Sequence, residues 1–177
     1  MSIANPITAA DWRRLGLIIG VASLAAGVDL TVKAVASTQL ASGTVLDWGL
    51  LSIRLIYNPG VAFSLGSTLP SWMISALTGA IIVVLGGYLI TRSRRLSAVS
   101  SVGGGLLLGG ALGNFIDRLD GRGVVDYLHT GWFATFNLAD VFVTVGVATL
   151  ALGMLAGQRN QTPTLPEQNA DSRPSQR

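Results

Sequence analysis

The chain has no cysteine and a single histidine, His129. Without thiols there is no disulfide, thiolate metal site or cysteine nucleophile, and one histidine excludes the two-histidine zinc helix HExxH. No metal and no cofactor are expected. Charge is scarce as well: 12% of the 177 residues are charged and 50% are apolar, a balance far from that of a soluble globule. The net charge of +3 sits in small arginine clusters beside apolar runs instead of along one polar face. That pattern argues against a nucleic-acid partner and for a membrane.

Four apolar segments approach the roughly 20 residues that a helix needs to cross about 30 Å of hydrocarbon. They run over 15–36, 72–91, 96–117 and 136–156. Isolated spans in lipid must pair their backbone groups internally, so helix is the expected state of each. Arg13 and Arg14 precede the first span, Arg92, Arg94 and Arg95 separate the second from the third, and Arg159 follows the fourth. Arginine is retained on the cytoplasmic side, so both termini and the middle loop are expected there. Arg118 and Arg122 on the other side weaken this bias without reversing it. The first outer stretch, 37–71, contains the alternating run from Leu51 to Tyr57, which predicts a strand and a small sheet at the membrane surface. The second outer loop, 118–135, is short, polar and aromatic. Trp12, Trp48, Trp72 and Trp132 fall near expected interfaces. Residues 157–177 become rich in Gln, Asn, Pro, Ser and Thr from 160 onward, and a disordered cytoplasmic tail is expected. The expected fold is an all-α membrane protein of one domain over 1–156, with four transmembrane helices, a small extracytoplasmic sheet and a short extracytoplasmic loop or helix. The first span also resembles a secretory signal, with Ala34-Val35-Ala36 before Ser37. Asp29 and Lys33 in its final part, and three further spans, make a retained helix the simpler reading.

Ionisable groups at membrane depth cost about 2.5–3.5 kcal/mol each, so each requires a partner or a function. Asp29 and Lys33 lie four apart on one face of the first helix, the spacing of an ion pair. Asn114, Asp117 and Arg118 sit at the outer end of the third helix, where Asp117 and Arg118 fit a terminal clamp better than direct chemistry. Asn137 and Asp140 share a face at the start of the fourth, and Asp126 falls in the loop before it. These groups gather near one leaflet, which implies a polar site there. Two acids in a low-dielectric site share a proton, so one acts as base and the other as acid. By spacing alone, a proton relay or a cation site would use the same parts. Gly105, Gly109 and Gly113 form a stripe that permits close helix contact and makes the third helix central.

Taken in order, these segments resemble the bacterial lipoprotein signal peptidases, also called signal peptidase II. Asp29 with Lys33 resembles that family's first-helix acid and lysine. Asn58-Pro59-Gly60-Val61-Ala62-Phe63-Ser64 looks like its NxGxAF motif, Gly113 to Arg118 (GNFIDR) its GN.IDR motif, and Val125-Asp126 and Phe136-Asn137-Leu138-Ala139-Asp140 its two aspartyl motifs. The similarity covers about residues 12–156. The first motif departs from the pattern: no glutamine follows Asp29, and the threonine is displaced to Thr31.

The resemblance implies an aspartic endopeptidase of the bacterial inner membrane that works without cofactor or metal, as a monomer. Its substrate would be a prolipoprotein bearing a diacylglyceryl-cysteine, entering laterally from membrane lipid and cut just before that cysteine, near the outer face. Asp126 and Asp140 would be the catalytic pair. Asn114 and Asn137 would orient carboxylates or substrate backbone, Asn58, Gly60 and Ala62 would position the substrate, and Asp29, Lys33, Asp117, Arg118 and Ala139 would support the site. Other classes remain open on the residues themselves: a transporter using Asp29, Lys33, Asp117 and Asp140 as a relay, a serine protease with a Ser–Lys pair using Lys33, or a structural membrane subunit.

Overall fold

A computed structural model describes residues 9–59 and 70–159, with the side chains of 12–59 and 70–157. Gly60, Ala62 and the other residues of their motif from 60 to 64, and the tail from 160, lie outside the described residues. The elements follow in the order α1 (Ala9–Gln39), β1 (Leu46–Asp47), β2 (Ser52–Asn58), α2 (Ser71–Arg92), α3 (Ala98–Arg118), β3 (Val124–His129) and α4 (Leu138–Arg159), with one 3-10 turn at Ser93–Arg95 between α2 and α3. All four helices are long and apolar enough to cross a membrane.

Packing is inverted relative to a water-soluble protein. Large apolar side chains such as Leu24, Val83, Val84, Leu152 and Leu155 face outward, while Asp29, Lys33, Ser100, Ser101, Asp126 and Asn137 are buried. In lipid an outward leucine costs nothing, so close helix contact must come from shape and polar pairing. Glycine supplies the shape. A side chain at Gly105 would meet Ile18 and Val21 of α1, one at Gly109 would meet Ala22 and Ala25, and one at Gly113 would meet the Asp29 carboxylate. On the other side of α3, Gly103 and Gly110 fit against the α4 backbone, and Gly104 accepts Leu89 of α2. The glycine stripe therefore makes α3 the central helix, as its spacing predicts.

Helix starts follow local chemistry. Pro70 precedes α2. Ser97 caps α3, its hydroxyl accepting from the Ser100 amide at 3.0 Å. The expected third span began at 96 and the fourth at 136, but each helix opens two residues later. Ser97 is the cap in one case. In the other, Phe136 is drawn into an antiparallel bridge with Leu128, leaving Asn137 as the cap.

The sheet lies at the end of the bundle opposite the α2–α3 turn, in the order β1-β2-β3, all antiparallel. β2 matches the strand expected from alternation. Its long partner is β3, from the segment read in sequence as a loop, which corrects the expectation that Asp126 lies in a loop. A register irregularity between Ile53 and Ile56 brings Ile56 opposite Asp126 and Asn58 opposite Val124. Gly123, at φ +95°, lets the start of β3 approach the backbone of Asn58, where a side chain would collide. Ala36 of α1 and Leu40 just beyond it pack with Val125 and Tyr127 of β3, joining sheet to bundle.

Gly109→Ala should lower stability by about 1–3 kcal/mol, because its added methyl would sit 2.5 Å from the Ala22 carbonyl oxygen. Gly87→Ala, with nothing within 4 Å, should not. Thermal unfolding of both variants in detergent tests this; equal melting points would show that close approach at Gly109 is not limiting.

Candidate active site

The first amides of a helix have no partner inside it, and in α4 side chains supply all of them. The Asn137 side-chain oxygen accepts from the Asp140 amide at 3.1 Å, while an Asp140 carboxylate oxygen accepts from the Asn137 amide at 3.1 Å. This is a reciprocal capping box with Asp140 at its third helical position. Between them, the Leu138 amide donates to the Tyr127 hydroxyl at 3.2 Å and the Ala139 amide donates to Asp29 at 2.8 Å. Thus α1, β3 and α4 meet at one helix start, and Asp140 cannot shift along α4 without breaking these bonds.

Asp29 is held in turn by Lys33, 2.8 Å away and one turn along α1. The buried ammonium also reaches Asp117 at 2.9 Å and donates to the Asn114 side-chain oxygen at 2.7 Å. Its described partners are two carboxylates and an amide oxygen, with no serine among them, which counts against a Ser–Lys reading. Asp117 also accepts from the Val125 amide at 3.0 Å, tying α3 to β3 next to Asp126. Removing one member of such a buried cluster leaves uncompensated charge, at a cost of about 3–5 kcal/mol.

Asp126 and Asp140 reach the same cleft from different elements. Asp126 projects from β3 and accepts from the side-chain amides of Asn58 at 2.9 Å and Asn137 at 2.7 Å. Asp140 accepts from the Asn114 amide at 2.8 Å. The Asn137 side chain also donates to Asn114 at 3.1 Å, and with its backbone amide on Asp140 this one residue links both acids and the lysine cluster. Arg118 donates to the Asn114 backbone carbonyl at 2.7 Å and lines the cleft. The cleft, of about 670 Å³, has Asn58, Asn114, Asp126 and Asp140 on its polar wall and Trp132, Phe133, Phe136, Val141 and Val145 on its apolar side.

Burial pushes the Asp126 carboxyl up to about 6; the nearby Asp140 adds to the rise, and the amides of Asn58 and Asn137 oppose it. Burial likewise holds the Tyr127 phenol at about 12, so its hydroxyl keeps its proton. Among the described residues no cluster of His, Cys, Asp and Glu is arranged to hold a metal ion.

Of the expected site residues, Asp29, Lys33, Asn58, Asn114, Asp117, Arg118, Asp126, Asn137, Ala139 and Asp140 come together here. Ala139 contributes its amide, and it is fully buried. Tyr127 escaped the sequence reading, because a tyrosine beside an aspartate carries no signal until the strand aims its hydroxyl at a helix start. The aromatic wall escaped it too, since Trp132 and its neighbours read as interface residues.

Four helices of membrane-spanning length with a buried polar interior and a two-carboxylate cleft at one end define a polytopic membrane protein with a polar site. A family model described as signal peptidase (SPase) II matches residues 21–156. Lipoprotein signal peptidases of Rhodococcus jostii and Mesorhizobium japonicum are 35% and 36% identical to the chain, over 87% and 85% of it and 79% and 90% of their own lengths. Two solved bacterial membrane enzymes superpose with TM-scores of 0.71 and 0.64 at 27% and 28% identity, covering 86% and 79% of the chain and 95% and 93% of theirs. The chain belongs to the signal peptidase II family and is a multi-pass membrane protein.

The folded-state value of Asp126 lies above the ordinary 3.8, so its protonated form favours the fold. That contribution is full below about 3.8 and lost as pH rises through about 6. Between those limits the native protein should lose melting temperature relative to Asp126→Asn. Parallel melting curves across that range would contradict the buried, raised carboxyl.

Proposed function

We propose that the chain is an aspartic endopeptidase that removes signal peptides from diacylglyceryl-modified prolipoproteins, cutting just before the lipidated cysteine. The observation that carries this reading is Asn137, whose side-chain amide donates to the Asp126 carboxylate and whose backbone amide donates to the Asp140 carboxylate, so that one residue holds both acids at a cleft with polar and apolar lining. Family membership supports the substrate class, since the relatives are lipoprotein signal peptidases.

In the proposed reaction, one carboxylate of the pair takes a proton from water, and the resulting hydroxide attacks the scissile carbonyl carbon. The protonated partner donates a hydrogen bond to the carbonyl oxygen as negative charge develops there. The tetrahedral intermediate then collapses with proton transfer to the leaving amine. Burial raises Asp126 to about 6, so it holds a proton more readily than an ordinary carboxyl, and an apolar substrate that expels water from the cleft favours the neutral form further. The roles of acid and base are proposed for the pair, without assignment to either carboxyl. Asn58 and Asn137 hold Asp126, Asn114 and the capping box hold Asp140, and Arg118 offers a guanidinium to substrate main chain. Gly60 and Ala62, continuing from Asn58, are assigned to substrate positioning.

Arg13, Arg14, Arg92, Arg94 and Arg95 lie at the end of the bundle opposite the sheet. Arginine retention on the cytoplasmic side therefore supports cytoplasmic termini and a cleft near the outer face of the inner membrane. The proposed working unit is a monomer, with the substrate reaching the cleft from membrane lipid. The Asp29–Lys33–Asp117 cluster lies outside the cleft lining, which favours a supporting role over a relay.

Asp126→Asn and Asp140→Asn should each reduce cleavage of a synthetic diacylglyceryl-cysteine prolipoprotein by on the order of a thousandfold, while circular dichroism and detergent behaviour stay native. Near-normal cleavage by either folded variant would remove the pair from the mechanism.

A further inference from the structure

Four amides open α4, and their acceptors come from different elements. Those of Asn137 and Asp140 are satisfied inside the capping box and that of Ala139 by Asp29 of α1, whereas that of Leu138 reaches the Tyr127 hydroxyl at 3.2 Å. Tyr127 is the acceptor supplied by β3, the strand that carries Asp126. Successive strand residues point to opposite faces. Asp126 accordingly lines the cleft, while Tyr127 runs behind it, 5% exposed, among Ala36, Leu40 and Val125.

Main chain closes the base of the connection between β3 and α4. The Tyr127 and Leu128 amides both donate to the Phe136 carbonyl, at 3.1 and 2.9 Å, and the Phe136 amide donates back to Leu128 at 3.0 Å. Those bonds stop one residue short of the capping box. Among the described residues, two side-chain bonds carry the link onward from β3 to the helix start: Asn137 to Asp126 at 2.7 Å, and Leu138 to Tyr127. The first ends on a carboxylate, and an amide bonds a charged carboxylate more strongly than a neutral carboxyl. It therefore weakens whenever Asp126 takes up a proton. The second ends on a neutral phenol, which burial keeps protonated up to about 12, so its strength does not follow the charge of the acids.

Resting on the reading of the cleft as an aspartyl protease site, we propose that Tyr127 is a positioning residue for the reaction: through the Leu138 amide its hydroxyl holds the start of α4 against β3, and so fixes Asp140 relative to Asp126 while the carboxyls change charge. Phenylalanine would fill the same space and leave the Leu138 amide without an acceptor. Tyr127 does not line the cleft, so its loss acts on turnover and not on substrate binding.

Cleavage of a synthetic diacylglyceryl-cysteine prolipoprotein in detergent micelles, followed for the native chain, Tyr127→Phe and Ser97→Ala, tests this. The Ser97 hydroxyl accepts the Ser100 amide at 3.0 Å at the start of α3, at the other end of the bundle, so its removal also strips a helix-start amide of its acceptor. Tyr127→Phe should lower kcat on the order of tenfold, with KM within about twofold of native. Ser97→Ala, assayed at a temperature where both variants are folded, should change neither. A fall carried by KM, an unchanged kcat in folded Tyr127→Phe, or the same loss in Ser97→Ala would overturn the proposal.

Amide hydrogen exchange gives a readout that does not depend on the reaction. In the native chain the Leu138 amide should be protected, and exchange as fast as that of an unpaired amide would overturn the proposal even if Tyr127→Phe did not fold. In Tyr127→Phe, protection should fall together from Asn137 to Asp140. Loss confined to Leu138 would reduce the hydroxyl to a local cap and overturn the positioning role. No cleavage by the native chain, with protection lost across all four amides in the variant, would instead sink the protease reading and leave the brace between the two carboxyls standing.

Discussion

The start of α4 is the constraint on which the site depends. A helix N-terminus offers several unpaired amides, and in a membrane protein there is little water to satisfy them. Here the amides from Asn137 to Asp140 are taken by Asp140, Tyr127, Asp29 and Asn137. Three elements must be in register for that set to close. The bonds that terminate the helix are therefore the same bonds that fix a candidate catalytic carboxylate, so the cost of leaving amides unpaired is converted into positional precision.

Lys33 gives this arrangement its electrostatic support. A lone ammonium or carboxylate in the bundle interior would be prohibitive, yet Lys33 meets two carboxylates and one amide oxygen within 2.9 Å. Each partner extends outward: Asp29 to the α4 amide, Asp117 to β3, Asn114 to Asp140. The acids of the cleft are thus backed by a layer of charge that is itself compensated. The glycine stripe makes this layer possible, because any side chain at Gly113 would occupy the space of the Asp29 carboxylate.

The two walls of the cleft follow from how each is built. Its polar wall comes from groups whose hydrogen bonds already close within the protein, so their positions do not depend on a ligand. The apolar wall comes from a short connection between β3 and α4 whose rings touch one another edge to edge. An amphipathic substrate is the natural complement of such a surface. Family membership and the physical character of the cleft therefore point the same way, from independent observations.

Much of this was legible in sequence. Spans of about 20 apolar residues located all four helices, three of them to within three residues and the first to within six, because hydrocarbon leaves the backbone no alternative, and the four-residue glycine spacing marked α3 as central. The acids and amides stood out because each is costly where it occurs. Tertiary structure alone decided that Asp126 rides on a strand, since β3 forms only when β2, far away in the chain, supplies its hydrogen bonds. It also decided that Tyr127 caps α4, that Asn137 touches both acids, and that aromatic residues suited to any interface line the cleft. Periodicity reports which face of an element is apolar, but which distant group meets that face depends on how the helices close, and no local pattern encodes it.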